Sequence, residues 1–132
     1  MNDSGVLSSS RSPADGDLGA AGIHVLLDFW GARPLDDRSH AERALRQAAE
    51  AARATVLHVH VHRFASSGGI SGVAVLAESH ISIHTWPEQG YAALDVFLCG
   101  KCDIDACIAT LHAAFAPTKS SIRSFRRGAL GA

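Results

Sequence analysis

From Thr55 to Phe64 (TVLHVHVHRF) polar and apolar residues alternate, with His58, His60 and His62 on one side of an extended backbone and Val59 and Val61 on the other. That period of two predicts a half-buried strand. His24–Trp30 (HVLLDFW) is β-branched and aromatic and stops at Gly31, with Pro34 shortly after, which predicts a first strand. From Ser39 the period lengthens: Ala41, Ala44, Leu45, Ala48, Ala49 and Ala52 recur at helical spacing, and Ser39 with Glu42 forms a capping-box signature. Gly72–Glu78, His80–Thr85 and Ala92–Leu98 read as three further strands, the last two separated by Trp86-Pro87-Glu88-Gln89-Gly90. A second helix is predicted over Ile104–Phe115, opened by Asp103 and closed by Pro117, with Ile104, Cys107, Ile108, Leu111, Ala114 and Phe115 on one face. A short last strand is expected at Ser121–Phe125. Sequential strands joined by short turns favour antiparallel pairing, and there is no regular βαβ alternation. The expected fold is therefore α+β: a two-layer sandwich of a mainly antiparallel sheet with the helices on one face.

Length and composition narrow the setting. At 132 residues the chain is one domain's worth of protein. Residues 1–22 are rich in Ser, Gly and Asp and carry too little apolar surface to offset their ordering entropy, so they are expected to form a flexible leader before a domain over residues 23–132. A formal charge of −1 leaves no electrostatic footprint for nucleic acid. The longest apolar runs, such as Val73–Ala77 and Ala92–Leu94, fall far below the roughly 20 residues that cross a bilayer. The N-terminal residues do not resemble a secretory signal, which makes a cytoplasmic location the expectation. Cys99, Cys102 and Cys107 are an odd number in a short stretch, poor material for a disulfide framework and better suited to a reducing compartment.

Several groups of residues could carry chemistry. His58, His60 and His62 offer imidazoles on one strand face, but neighbours two apart on a strand sit nearly 7 Å from one another, so a polar face or cleft lining is favoured over a metal site. Cys99 and Cys102 have CxxC spacing at the end of a strand and before a helix, where they could act as a redox or zinc pair, or where one of them could be a single catalytic thiol.

The stretch LAESHISIHTWPEQGYAALDVFLCG, from Leu76 to Gly100, resembles the signature block of the prokaryotic S-adenosylmethionine decarboxylase proenzyme family, which is pyruvoyl-dependent and of small bacterial type. The family pattern has a Glu-Ser-His core followed by Ile-His-Thr-Trp-Pro-Glu and then Gly-Tyr-Ala-Ala. The looser similarity runs from about His24 to the C-terminus and takes in Phe64 and Ser71-Gly72.

The resemblance implies autocatalytic serinolysis between Glu78 and Ser79, giving a β chain of residues 1–78 and an α chain of residues 79–132. Ser79 would become the pyruvoyl group, a cofactor made from the chain itself, which forms a Schiff base with the substrate amine. His84 matches the processing base and Ser71 the hydroxyl that assists it. Cys99 matches the proton donor, whereas Cys102 has no counterpart. Phe64 matches an aromatic plate for adenine and Glu88 an acceptor for ribose hydroxyls. No residue is assigned to a metal.

The implied activity is decarboxylation of S-adenosylmethionine to the aminopropyl donor of spermidine biosynthesis, by a homodimer of αβ units. The same chemistry on arginine or ornithine is one alternative, and a redox or zinc protein using Cys99 and Cys102 is another.

Overall fold

The computed structural model describes residues 21–128. Among them run β1 (Gly22–Trp30), α1 (Arg38–Ala51), β2 (Val56–Arg63), β3 (Ile70–Leu76), β4 (Ser79–Trp86), β5 (Tyr91–Leu98), α2 (Ile104–Phe115) and β6 (Lys119–Arg127), with a 3-10 turn at Pro87–Gln89. The strands form one sheet in the order β2-β3-β4-β5-β1-β6, and every pairing is antiparallel. The α+β sandwich read from the pattern is the observed architecture. The expected leader lies outside the described residues except at its end, where Gly22 opens β1. A Cβ at Gly22 would stand 2.7 Å from the Leu98 carbonyl oxygen, so a side chain there would collide with β5.

Alternation dictates which face each strand buries. Val25, Leu27 and Phe29 on β1, Ile81 and Ile83 on β4, and Leu94, Val96 and Leu98 on β5 all point into the core. They meet Leu45, Ala48 and Ala49 of α1 and Cys107, Leu111 and Phe115 of α2. The small side chains of α1 let its backbone approach the sheet closely.

Three element boundaries differ from the sequence reading for identifiable reasons. The strand expected over Gly72–Glu78 ends at Leu76, and Ala77 and Glu78 form the turn that follows it. The N-cap of α1 is Asp37, whose carboxylate accepts from the His40 backbone N–H at 3.0 Å, so Ser39 lies inside the first turn. Glu42 is thereby free to accept from Arg38 and Arg46 along the helix surface instead of closing a capping box. Strand β6 is longer than its apolar residues suggest, because its backbone ladder with β1 runs the whole length from Lys119 opposite Trp30 to Arg127 opposite Gly22. The cap of α2 is Asp103, as expected, accepting from the Ala106 N–H.

Among the described residues the other face of the sheet carries no helix. His58, His60 and His62 lie there together, opposite Val75, Val73 and Ser71 of β3. Near its centre, Asp95 of β5 is held by His24 Nε2 at 2.6 Å and His80 Nε2 at 2.9 Å, while the Ser82 hydroxyl donates to its second oxygen. Burial alone would raise the Asp95 carboxyl, but the hydrogen bonds from Ser82, His24 and His80 outweigh burial and hold it below its ordinary value.

Among the described residues Thr85 is the buried polar side chain: it accepts from the Ile70 N–H at 2.9 Å and donates to the Leu35 carbonyl at 2.6 Å, tying β3 and β4 to the segment before α1. Thr85→Val keeps the shape and strands both partners, and should destabilise the fold by about 1–3 kcal/mol, read as a lower urea midpoint. Because the Asp95 carboxyl is lowered in the folded chain, its contribution is complete above the unfolded value of 3.8 and is lost as pH falls below it. Unfolding midpoints followed from neutral pH into acid should drop below about pH 4, and Asp95→Asn should flatten that drop.

Candidate active site

Strands β3 and β4 are joined by Ala77 and Glu78 alone, with Leu76 paired to Ser79. Glu78 occupies the left-handed region, at φ 59. An L-residue there costs about 1–2 kcal/mol, and such two-residue turns ordinarily recruit Gly or Asn. Glu78 is exposed at this corner, and the peptide bond after it leads directly into β4.

Ser79 opens β4 at the rim of the sheet. The β4–β5 register, with His80 opposite Phe97, brings the end of β5 alongside, and the Cys99 N–H donates to Ser79 Oγ at 3.3 Å. Cys99 and Cys102 follow in the turn between β5 and α2, with their sulfurs 3.4 Å apart. Burial, reinforced by Cys99, pushes the Cys102 thiol up to about 11. Cys107 is fully buried under α2, and burial pushes its thiol up to about 12, so it is a core residue without access to this rim. Glu78, Ser79 and Cys99 are therefore gathered at one end of β4.

Ser71 and His84 are also brought together, at the opposite end. They are directly opposed across β3 and β4, with Ser71 Oγ 3.0 Å from His84 Nδ1. His62 neighbours Ser71 on β2, and the Phe64 ring packs edge-on against the His62 ring at 4.6 Å. Phe64 is 45% exposed, which rules out core packing as its role. Glu88 lies exposed in the 3-10 turn that follows β4.

The residues expected to act on one bond thus form two clusters. His84 is five positions beyond Ser79 on an unbroken strand, which at about 3.3 Å per residue is roughly 16 Å. Within one chain, the Ser71–His84 pair does not reach the Glu78–Ser79 bond.

Trp86 lies within the Trp86-Pro87-Glu88 stretch of the sequence reading, whereas Trp30, Asp28, Asp95 and Lys119 of the open face stood outside it. Trp86 stacks on Tyr91 at 5.4 Å, Trp30 lies on the other side of Tyr91 at 5.9 Å, and Lys119 sits over Trp30. The Tyr91 hydroxyl donates to Asp28, and that bond, with burial adding to it, pushes the phenol up to about 12. Asp28 and Asp95, carboxylates inside otherwise apolar strands, were the signal available.

His24, His80 and Asp95 present ligand atoms within 4.8 Å of one another and are, among the described residues, a conceivable metal group. Arg127 Nη1 lies 3.1 Å from His24 Nδ1. A guanidinium only donates, so Nδ1 accepts and the ring proton sits on Nε2, directed at Asp95. The cluster is a hydrogen-bond network in that state, with no free lone pair on His24 for a metal.

Residues 23–128 match the family model described as S-adenosylmethionine decarboxylase. The chain is 42% identical over 108 residues to the S-adenosylmethionine decarboxylase proenzyme of Thermomicrobium roseum, covering 81% of this chain and 93% of that one. It is 46% identical over 110 residues to the proenzyme of the same description from Methanococcus vannielii, covering 81% and 89%. The crystal structure of the adenosylmethionine decarboxylase from Aquifex aeolicus superposes with a TM-score of 0.77 at 30% identity, covering 86% of this chain and 95% of that one. The match runs through all the strands and both helices of the described domain, so this chain belongs to the S-adenosylmethionine decarboxylase family.

Proposed function

We propose that this chain is the proenzyme of a pyruvoyl-dependent decarboxylase of S-adenosylmethionine, and that it becomes active by cutting itself between Glu78 and Ser79. The observation that carries the reading is the placement of that bond, at a left-handed corner whose following serine shares a rim with Cys99. The family match and the proenzyme relatives support S-adenosylmethionine as substrate. They lend no support to the arginine or ornithine alternative, or to a redox or zinc protein.

Ser79 Oγ attacks the Glu78 carbonyl, and the peptide bond becomes an ester. A base then removes the Cα proton of Ser79. The Cβ–O bond breaks, and the Glu78 carboxylate departs as the new terminus of residues 1–78. The dehydroalanine left at position 79 hydrolyses and releases ammonia. The pyruvoyl group so formed supplies the electron sink for loss of CO2 from an α-amino acid, in place of pyridoxal phosphate. The same rim holds the Cys99 thiol, which returns a proton to the α-carbon. Ser79 has the residue chemistry for this conversion: a hydroxyl next to a strained carbonyl, held by a backbone N–H.

His84 suits the processing base, since imidazole titrates near neutrality, and Ser71 is hydrogen-bonded to it. Their distance from Ser79 supports a site to which a second copy of the chain contributes them. Two copies packed through their open sheet faces, running in opposite directions, bring the Ser71–His84 end of one to the Ser79 end of the other. The apolar residues exposed on that face, Trp30, Val75, Trp86 and Phe125, suit such a contact. Phe64 and Glu88 lie at the same end as His84, so they join Ser79 and Cys99 in the same composite site, with Phe64 as a plate for adenine and Glu88 accepting from ribose hydroxyls. No described helix is long and apolar enough to cross a membrane.

Ser79→Ala should remain a single 13.8 kDa species in denaturing mass analysis, whereas the unmodified chain splits after Glu78. His84→Ala alone should cleave about 10²–10⁴ times more slowly. When the two variants are co-expressed with distinguishable tags, the His84→Ala chain should be cut by the histidine its Ser79→Ala partner supplies. If neither chain is cut, the shared site is wrong. CO2 release from S-adenosylmethionine, and none from arginine or ornithine, checks the substrate.

A further inference from the structure

Cys102 is a thiol at the active rim that the decarboxylation chemistry leaves unused. Its sulfur lies 3.4 Å from that of Cys99, and both side chains are half-buried. The two residues bracket a turn closed by the Cys102 N–H donating to the Cys99 carbonyl at 3.1 Å, which turns their side chains toward one another. A disulfide bond is about 2.05 Å long, so the sulfurs must close by little more than an ångström. The turn between them has room to adjust, since a Cβ added at Gly100 would meet nothing within 4 Å. Cys107 is sealed in the core and does not compete.

We propose that Cys99 and Cys102 are a reversible oxidation site whose disulfide switches the decarboxylase off by removing the thiol that protonates the product. This rests on the assignment of Cys99 as the proton donor. The oxidant is a low-molecular-weight disulfide. The Cys99 thiolate attacks one of its sulfurs and expels the first small thiolate. The Cys102 thiolate then attacks Cys99 Sγ and expels the second. Two protein thiols are oxidised, one small disulfide is reduced to two thiols, and these carry the two protons away. The order follows from Cys102's environment: burial keeps its thiol protonated, which suits it to the resolving step, where proximity compensates for a low thiolate fraction.

The switch divides into a linkage and an activity, which are measured separately. Processed, unmodified enzyme is equilibrated across mixtures of oxidised and reduced glutathione, quenched in acid, alkylated and digested with trypsin without reductant. Trypsin cuts after Lys101, between the two cysteines, so the disulfide joins the peptides 79–101 and 102–119, which otherwise separate. The expected result is that joined pair, with turnover of S-adenosylmethionine lower by about 10²-fold or more and restored by dithiothreitol. Cys102→Ala should give no joined pair. Glutathione remaining on Cys99 in the unmodified enzyme, or a link confined to Cys102 and Cys107, overturns the switch. No linkage in an enzyme that cleaves and decarboxylates normally overturns the switch alone. Linkage with undiminished turnover overturns both the switch and the role of Cys99 as acid.

Discussion

The two-residue turn at Ala77-Glu78 sets the distances on which the site depends. With Leu76 opposite Ser79, the rest of the β3–β4 ladder follows without freedom, and Ser71 must lie opposite His84. The next ladder, with His80 opposite Phe97, carries Cys99 to Ser79. A slip of one residue would turn Ile81 and Ile83 out of the core and His80, Ser82 and His84 into it. The apolar residues of β4 thus enforce the register, and the polar residues between them inherit their positions. Packing therefore fixes the separation of the two clusters, as well as the fold.

In the proposed dimer the open face presents residues to a partner without leaving a carboxylate unsatisfied. Asp95 and Asp28 lie inside the sheet, where an isolated carboxylate covered by a second copy would be costly. Each is satisfied within its own chain, Asp95 by His24, His80 and Ser82, and Asp28 by Tyr91. The Asp95 network also explains why a group that resembles a metal site is better described as a carboxylate satisfied by internal hydrogen bonds. With those polar atoms occupied, Trp30, Val75, Trp86 and Phe125 remain as the apolar contribution of this face to contact.

What could be read from the sequence follows the strength of each local signal. The alternation in Thr55–Phe64 and the helical period after Ser39 located β2 and α1, because burial on one face leaves a periodic trace. Strand β6 (KSSIRSFRR) is mostly exposed at the sheet edge, so its extent is set by backbone pairing to β1, which leaves no trace in side-chain pattern. Ser39 looked like the cap because it fits a motif with Glu42, whereas Asp37 takes the role because its extended backbone aims its carboxylate at the helix end. The turn before Ser79 was hidden, since Ala-Glu carries none of the usual hairpin residues. The resemblance named Ser71, Ser79, His84 and Cys99 together, and it did not reveal that they fall at two ends of one strand. That required knowing that β4 is unbroken from Ser79 to Trp86.

The strain at Glu78 bears on what drives cleavage. A left-handed glutamate stores about 1–2 kcal/mol, and about 1.4 kcal/mol is a tenfold change in rate. Its relief as the carbonyl is attacked can therefore account for about one power of ten. In the proposed processing, general-base removal of the Ser79 Cα proton is worth about 10²–10⁴, and the group proposed for it, His84, lies roughly 16 Å away along the strand. The larger effect belongs to the group that a single chain cannot bring to its own bond. The turn exposes and slightly strains the bond, and under the proposed shared site the chemistry that breaks it comes from the second copy. On the proposed mechanism a monomer would be stable against its own scission, and cleavage would be coupled to assembly.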